Sequence, residues 1–218
     1  NGSNSSMSFA NLLTSDLSIS GGNTDTFGSN NSTITLNGRN LTVTGTMQWN
    51  GASKIEVGAG STLTLGNGAH ILSDGLDAHS GGLVKLGGTP TIGSLGLTAG
   101  ALTGGIIENG TATNVTLTTG EDNTSTTYAG VLRDGSAGGT LALTKTGSGT
   151  LLLSGANTYT GSTTVSDGTL AISHATGLGT SAGGVSVANG ATLDLQGVTV
   201  GAEALTLNGG TLTTTTGT

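Results

Sequence analysis

Residues 185–195 read Val185-Ser-Val-Ala-Asn-Gly-Ala-Thr-Leu-Asp-Leu195, two alternating apolar–polar segments separated by an Asn-Gly pair. Alternation of this kind places every second side chain on one face, as a half-buried β-strand requires. Gly190 at the centre tolerates the positive φ that a tight corner needs. The stretch therefore predicts two short strands joined by a sharp corner.

The same strand–corner–strand pattern recurs along the chain. Copies occur at 57–63, 165–170, 187–193 and 207–212, and looser copies end at Leu41, Leu83 and Leu102. The leucines that open the second strand are separated by 22, 20 and 19 residues in one series and by 19, 23 and 19 residues in the other. The two series are Leu41, Leu63, Leu83, Leu102 and Leu151, Leu170, Leu193, Leu212. A period near 21 residues in a chain of 218 predicts about ten repeats.

Strands that return at a regular period and run in one direction must stack as parallel neighbours. Each repeat then forms one rung of two or three strands, with ladders of Leu, Val and Ile inside. The predicted fold is all-β: a right-handed parallel β-helix (a β-solenoid) of about ten rungs over residues 31–218. Residues 1–30 are expected to cap the first rung, because an open sheet edge invites pairing.

Two segments depart from the repeat. Residues 103–130 keep the corner rhythm poorly, so 121–127 are expected to form an outward loop. The ending at 213–218 resembles no cap and suggests a longer natural chain.

Composition agrees with a solenoid. Gly and Thr each occur 42 times, whereas the chain has five aromatic residues, one Pro and no Cys. A compact globule needs large side chains in its core, whereas a solenoid buries a small amount in every turn. The net charge of −7 argues against nucleic acid as a partner, and no segment is apolar enough for a membrane span. The absence of Cys excludes disulfides and thiolate metal sites.

One longer segment resembles a known family. Residues 143–151 read Leu-Thr-Lys-Thr-Gly-Ser-Gly-Thr-Leu, residues 155–161 read Gly-Ala-Asn-Thr-Tyr-Thr-Gly, and residues 168–170 read Gly-Thr-Leu. This pattern, within 139–172, resembles the passenger-associated transport repeat, also called the autotransporter-associated β-strand repeat. The resemblance implies a passenger segment of a type V secretion protein.

Such a passenger is a right-handed β-helix exported through the outer membrane to the bacterial cell surface or beyond. The resemblance implies one partner, an outer-membrane β-barrel translocator in the same precursor, and no transmembrane segment in this chain. It also implies structural roles for two residues of the repeat. Asn157 would satisfy backbone groups at a corner, and Tyr159 would pack over a neighbouring turn.

Candidate chemical groups are sparse, and we predict no catalytic, cofactor-binding or metal-binding residue and no cofactor. The richest cluster is His70, Asp74, Asp77 and His79, which could form a metal site or a carboxylate pair for glycoside chemistry. Its spacing matches no zinc signature and no basic residue is adjacent, so a polar loop is the favoured interpretation.

The other candidates have simpler interpretations. Residues 54–56, Lys-Ile-Glu, suit a solvated ion pair on one strand face. Asp-Gly within 133–135 is an ordinary turn, and Ser136 has no paired His and Asp. His174 is expected to be exposed, and Trp49 could stack on a sugar or cover a groove. Thr62, Thr169, Thr192 and Thr211 precede inward Leu residues, which predicts a partial threonine ladder.

These features predict an adhesion or self-association rod that presents polar walls to a host surface, a glycan or another copy, and not an enzyme. Two alternatives stay open. A carbohydrate-active β-helix (a polysaccharide lyase or hydrolase) would need a groove of convergent carboxylates and basic residues, and the chain has only five basic residues. An inert spacer for functional domains outside this segment is the second.

Overall fold

The structure is a computed structural model that describes residues 17–20, 25–27, 33–36, 38–44, 46–49, 54–66, 69–72, 76–78, 81–96 and 104–215. The described residues form 23 short strands and no helix, so none of them lies in a helix able to cross a membrane. Strands of the first half are β1 (Leu17–Ser20), β2 (Asp25–Phe27), β3 (Thr33–Leu36), β4 (Asn40–Thr44), β5 (Thr46–Trp49), β6 (Lys54–Val57), β7 (Thr62–Gly66), β8 (His70–Leu72), β9 (Leu76–Ala78), β10 (Leu83–Gly87), β11 (Thr91–Ile92) and β12 (Ile106–Asn109). Strands of the second half are β13 (Val115–Thr119), β14 (Thr126–Tyr128), β15 (Val131–Arg133), β16 (Leu141–Lys145), β17 (Thr150–Leu153), β18 (Thr163–Val165), β19 (Thr169–Ile172), β20 (Val185–Ala188), β21 (Thr192–Leu195), β22 (Leu205–Asn208) and β23 (Thr211–Thr213).

The strands stack into parallel sheets that surround one core. A nine-stranded sheet has the order β2-β5-β8-β11-β13-β16-β18-β20-β22, and a six-stranded sheet has the order β1-β4-β7-β10-β12-β15. The third side begins as the three-stranded sheet β3-β6-β9 and continues, through a bridge between Leu76 and Leu95, towards the five-stranded sheet β14-β17-β19-β21-β23. The fold is therefore a parallel β-solenoid, as the alternating pattern predicted, with strands on three sides up to β15 and on two sides beyond it.

Alternation along each strand separates core from surface. In β13 and β16 the side chains alternate between buried and partly exposed, with Leu117 and Leu143 facing inward. Register then stacks many inward aliphatic residues on similar ones in the next turn. Such columns are Leu41, Leu63, Val84, Ile107 and Leu132 on the six-stranded side, and Leu151, Leu170 and Leu193 on the five-stranded side. Each fully buried aliphatic side chain contributes about 1.5–3 kcal/mol to folding.

The number of turns is lower than predicted. With three strands to a turn up to β15 and two to a turn beyond it, the 23 described strands make fewer turns than the predicted ten. The prediction of ten was wrong because it divided the whole chain by a fixed period. Paired residues in successive turns are separated by as few as 19 residues, between Leu151 and Leu170, and by as many as 27, between Thr91 and Thr118.

The structure confirms one of the two predicted leucine series and corrects the other. Leu151, Leu170, Leu193 and Leu212 are direct partners in one column, as predicted. In the first series Leu63 pairs with Val84, whereas Leu83 pairs with the outward Thr62. The prediction was wrong by one residue there because β10 opens on a partly exposed Leu. The position of Leu102 lies outside the described residues.

The predicted outward loop at 121–127 is also wrong. Thr126 and Thr127 belong to β14, and the Thr126 hydroxyl donates to the Leu95 carbonyl at 2.7 Å. Asn123 takes a positive φ of 61°, which turns the corner between β13 and β14. Its side-chain Oδ1 accepts a bond from the Ser148 N–H of the next turn at 2.9 Å. The segment is a tight corner that the next turn covers.

The boundaries predicted for the N-terminal segment stay a prediction. Within residues 1–30 the structure describes β1 and β2, which pair in parallel with β4 and β5. The proposed cap, like the handedness of the solenoid, is not tested by these strands. Right-handed crossovers are nearly universal for parallel strands, which is why we keep that expectation.

Glycine is required where corners of successive turns touch. Gly147 has a φ of +68°, and a Cβ placed on it would overlap the carbonyl oxygen of Gly120 in the preceding turn. Any side chain there would be strained by both the backbone conformation and the contact. The corners therefore stack as closely as the strands do.

Two adjacent leucines of β17 allow a test of which side chains face the core and which face solvent. Leu153 is fully buried, whereas Leu152 on the same strand faces outward and is partly exposed. We expect Leu153→Ala to lower the free energy of unfolding by about 2–5 kcal/mol because it leaves a cavity. The matched variant Leu152→Ala should cost less than about 1 kcal/mol. Equal losses in denaturant titrations of the two variants would contradict the register.

Candidate interaction surface

The outer face of the nine-stranded sheet carries an unbroken column of hydroxyl groups. Register places six side chains in successive turns directly above one another: Thr91, Thr118, Thr144, Thr164, Ser186 and Thr206. The first five are partly exposed and the last is exposed. At a turn spacing of about 4.8 Å the column is about 24 Å long. This column was not predicted from the sequence, because its members are separated by irregular numbers of residues.

A second threonine column lies on the five-stranded sheet. Thr150, Thr169, Thr192 and Thr211 are direct partners in four successive turns. Three of them were predicted to share a ladder, and they do. Thr62 was predicted to join them, but it lies in β7 of the six-stranded sheet beside Asn40 and Leu83. The same corner motif therefore occurs at two different corners of the solenoid.

The outward column of the six-stranded side changes from hydroxyls, at Thr42 and Thr64, to charged side chains from Lys85 onwards. Arg133 donates to the Glu108 carboxylate from Nε at 2.8 Å and from Nη2 at 2.5 Å. Lys85 occupies the neighbouring position of the same outward column, directly beside Glu108 in register. The Glu108 side chain is only 8% exposed, so this pair is better shielded from solvent than an ordinary surface ion pair.

An open cleft of about 410 Å³ lies beside this pair, lined by Arg133, Asp134, Gly135, Ser136 and Thr158. Asp134 Oδ1 accepts bonds from the backbone N–H groups of Leu141 at 2.7 Å and Thr160 at 3.0 Å. Its Oδ2 accepts the Thr160 hydroxyl at 2.6 Å. Both charged residues of the cleft thus hold neighbouring parts of the chain, and no His lines the cleft beside Ser136.

Lys145 lies inside the solenoid, a feature that the analysis of individual charged residues overlooked. It is 1% exposed, and its Nζ donates to the carbonyls of Thr146 at 2.6 Å and Gly147 at 2.8 Å. A longer bond of 3.4 Å reaches the carbonyl of Asp167 in the next turn. Burial lowers the pKa of Lys145, and the charges of Asp167 and Asp122 oppose that shift. The signal was present, because alternation along Leu141-Ala-Leu-Thr-Lys145 already places this position inside.

Asn157 and Tyr159 have the structural roles that the family resemblance implied. Asn157 accepts the Leu132 N–H at 2.9 Å and donates to the Gly177 carbonyl at 2.7 Å, so its side-chain amide replaces a backbone amide between two turns. Tyr159 is fully buried, lies against Gly179, and its hydroxyl is 2.6 Å from the Thr163 hydroxyl. Burial raises the pKa of Tyr159 far above its ordinary value.

Asp194 fastens the last described turn. Its carboxylate accepts bonds from the Thr213 hydroxyl at 3.0 Å, the Thr215 N–H at 3.0 Å and the Thr215 hydroxyl at 2.7 Å. Burial alone would raise the pKa of Asp194, but these bonds outweigh it and hold the pKa below its ordinary value. The carboxylate form therefore stabilises the turn.

The structure describes only some of the remaining candidate residues. His70 and Asp77 lie in β8 and β9, whereas Asp74 and His79 fall outside the described residues. Within the part of the chain that the structure describes, no three His, Asp or Glu side chains gather as metal ligands. His174 is only partly exposed, and its Nδ1 accepts the Thr176 N–H at 3.1 Å. Trp49 and Lys54 lie in β5 and β6, and their predicted contacts stay predictions.

Replacing the buried lysine tests its role as a corner donor. We expect Lys145→Met to lower the free energy of unfolding by about 2–4 kcal/mol, because buried carbonyls lose their donor. Lys85→Met removes the same charge from an outward position and should cost less than about 1 kcal/mol. Thermal and denaturant unfolding would measure both variants. A Lys145→Met protein as stable as the parent would refute the assigned role.

Acidification should loosen the last described turn. A carboxylate whose pKa is lowered by folding adds stability above the ordinary pKa of 3.8 and loses it as the pH falls through the lowered pKa. At neutral pH, Asp194→Asn should therefore weaken amide-exchange protection of Thr213–Thr215 relative to the parent, by about 1–3 kcal/mol. Below the lowered pKa that difference should shrink. A gap that is the same at both pH values would contradict the argument, and Asp167→Asn provides a carboxylate control outside this turn.

Comparison with known proteins bears on the segment around Lys145, Asn157 and Tyr159. The model of the passenger-associated-transport-repeat family matches residues 143–172, which run from within β16 to the end of β19. No curated protein and no solved structure matched the chain. The match covers the same residues that carried the resemblance in the sequence. Residues 143–172 of this chain are a passenger-associated-transport-repeat.

Proposed function

We propose that this solenoid is an adhesion or self-association segment of an exported passenger protein. The transport repeat and the parallel β-solenoid both fit an autotransporter passenger. That family implies a translocator domain in the same precursor and export to the cell surface. It is not an enzyme family. Adhesion is our proposal for what the exported rod does.

The observation that carries the proposal is the hydroxyl column from Thr91 to Thr206. Its six members are side chains that both donate and accept hydrogen bonds, and none carries a charge. A second rod laid alongside could therefore pair hydroxyl with hydroxyl without overcoming like-charge repulsion. Each such bond contributes only about 0.5–1.5 kcal/mol, so strength would come from the number of turns engaged at once.

The two alternatives are less well supported. A carbohydrate-active site needs free carboxylates and basic groups, but Arg133 and Asp134 in the 410 Å³ cleft already bind Glu108, Leu141 and Thr160. A pure spacer would require the same stacked core but gives no reason for an uninterrupted column of one side-chain class. We therefore favour contact through this face.

Two matched triple variants test the proposal. Thr118→Val, Thr144→Val and Thr164→Val together remove three hydroxyls from the nine-stranded face and keep side-chain shape. Three lost bonds should weaken self-association, measured by sedimentation equilibrium, by about tenfold or more. Retention of protein-coated beads on host matrix and on beads bearing the same protein provides the second measurement.

The control triple is Thr150→Val, Thr169→Val and Thr192→Val on the five-stranded face. It adds the same apolar area but leaves the hydroxyl column of the nine-stranded face intact, so association should stay close to that of the parent. If both triple variants weakened association equally, or if neither did, the hydroxyl column of the nine-stranded face could not be the contact surface. A parent protein that stays monomeric and binds neither beads nor matrix would favour the spacer.

A further inference from the structure

An Asn-Gly pair can modify itself. The backbone nitrogen of Gly attacks the side-chain carbonyl carbon of Asn, a C–N bond forms, and ammonia leaves to give a five-membered succinimide. Water then opens the ring at either carbonyl and yields Asp or isoaspartate. The only co-reactant is water, so local structure decides the rate. Three such pairs lie in the described part of the chain: Asn109-Gly110, Asn189-Gly190 and Asn208-Gly209.

The first pair is held in an unreactive state. Asn109 is fully buried, and its Nδ2 donates to the carbonyls of Thr113 at 2.7 Å and Thr140 at 3.0 Å. Its Oδ1 accepts the N–H and the hydroxyl of Thr111 at 2.8 and 2.9 Å. The attacking nitrogen is also engaged, because the Gly110 N–H donates to the Leu86 carbonyl at 2.9 Å. Reaction would require all of these bonds to open.

The second pair lacks these restraints. Asn189 and Gly190 are exposed, and they form the two central positions of a turn closed by a bond from the Ala191 N–H to the Ala188 carbonyl at 3.1 Å. Across the described ranges, no group hydrogen-bonds to the Asn189 side-chain amide or to the Gly190 N–H. Gly190 has a φ of +82° and no atom within 4 Å of a Cβ placed on it, so the corner has room to rearrange.

We propose that Asn189-Gly190 is a site of spontaneous deamidation in the folded protein and that Asn109-Gly110 is protected. The four side-chain hydrogen bonds of Asn109 must open before it can react, so we expect Asn109 to deamidate at least about a hundredfold more slowly than Asn189. The product adds one negative charge to the corner. Isoaspartate also lengthens the main chain by one carbon at that point.

The Asn189-Gly190 corner matters because the last described turn packs against it. A Cβ placed on Gly209 would lie 2.8 Å from Asn189 Oδ1 and 3.2 Å from Asn189 Cβ, so the Gly209 backbone packs directly against this side chain. Deamidation therefore changes both the charge and the shape of the surface on which the strands β22 and β23 are stacked. Deamidation would accumulate with time and would progressively alter the packing of that turn.

The sequence allows the three pairs to be measured separately. A protease that cleaves after Glu cuts at Glu108, Glu121 and Glu203, which separates the pairs into peptides 109–121, 122–203 and 204–218. The folded 218-residue chain is incubated at neutral pH and 37 °C, sampled over time, then unfolded in mild acid and digested. Mass spectrometry follows the gain of about one mass unit, and fragmentation locates it. We expect peptide 122–203 to change at Asn189 while 109–121 stays unmodified.

A parallel incubation in concentrated urea isolates the effect of the fold. There, both pairs should react at similar rates, because the protecting bonds of Asn109 are gone. Asn189→Gln should abolish the change in peptide 122–203 without affecting the others. Equal rates for Asn109 and Asn189 in the folded protein would overturn the proposal. So would an Asn189 that stays intact in the folded protein while it reacts in urea.

Discussion

The described part of this molecule depends on the backbone hydrogen bonds that join one turn to the next. All of the pairings between the described strands are parallel, and many of the described corners also hydrogen-bond to the neighbouring turn through backbone groups or through Asn and Ser side chains. This constraint explains the composition. The single proline, Pro90, lies just before β11, where its carbonyl accepts the Thr118 N–H and no donor is required of it. Small residues dominate because each turn must lie about 4.8 Å from the next along its whole circumference.

Polar groups inside the solenoid follow from the same constraint. Where a corner leaves carbonyls without a backbone donor, a side chain supplies one: Lys145 does so for three carbonyls and Asn157 for that of Gly177. Buried polar groups without partners are costly, so the corners require a donor at these positions. This is why the most distinctive residues of the transport repeat lie in the interior, and why any contact with a partner must use the plainer outer faces.

The sequence predicted the fold better than it predicted the arrangement of the faces. Alternation and glycine corners are local signals, so the strands and the column from Leu151 to Leu212 followed directly. Turn lengths are not local signals. They vary because corners differ in size, and a fixed period therefore misplaced Leu83 by one residue and gave too many turns. The hydroxyl column escaped notice for the same reason, since Thr118 and Thr144 become neighbours only when the register is known. The inward position of Lys145 was not predicted, although the alternation along β16 places its side chain on the buried face.

The direction of the inter-turn hydrogen bonds has a mechanical consequence. They run along the axis of the rod, so tension applied to its two ends loads successive turns in series, and the weakest turn opens first. A turn such as the one from Leu151 to Leu170 contributes about 5 Å to the folded rod but about 65 Å as an extended chain of 19 residues. A tether built this way lengthens stepwise under load, and each step dissipates work and limits the tension that the attached groups experience.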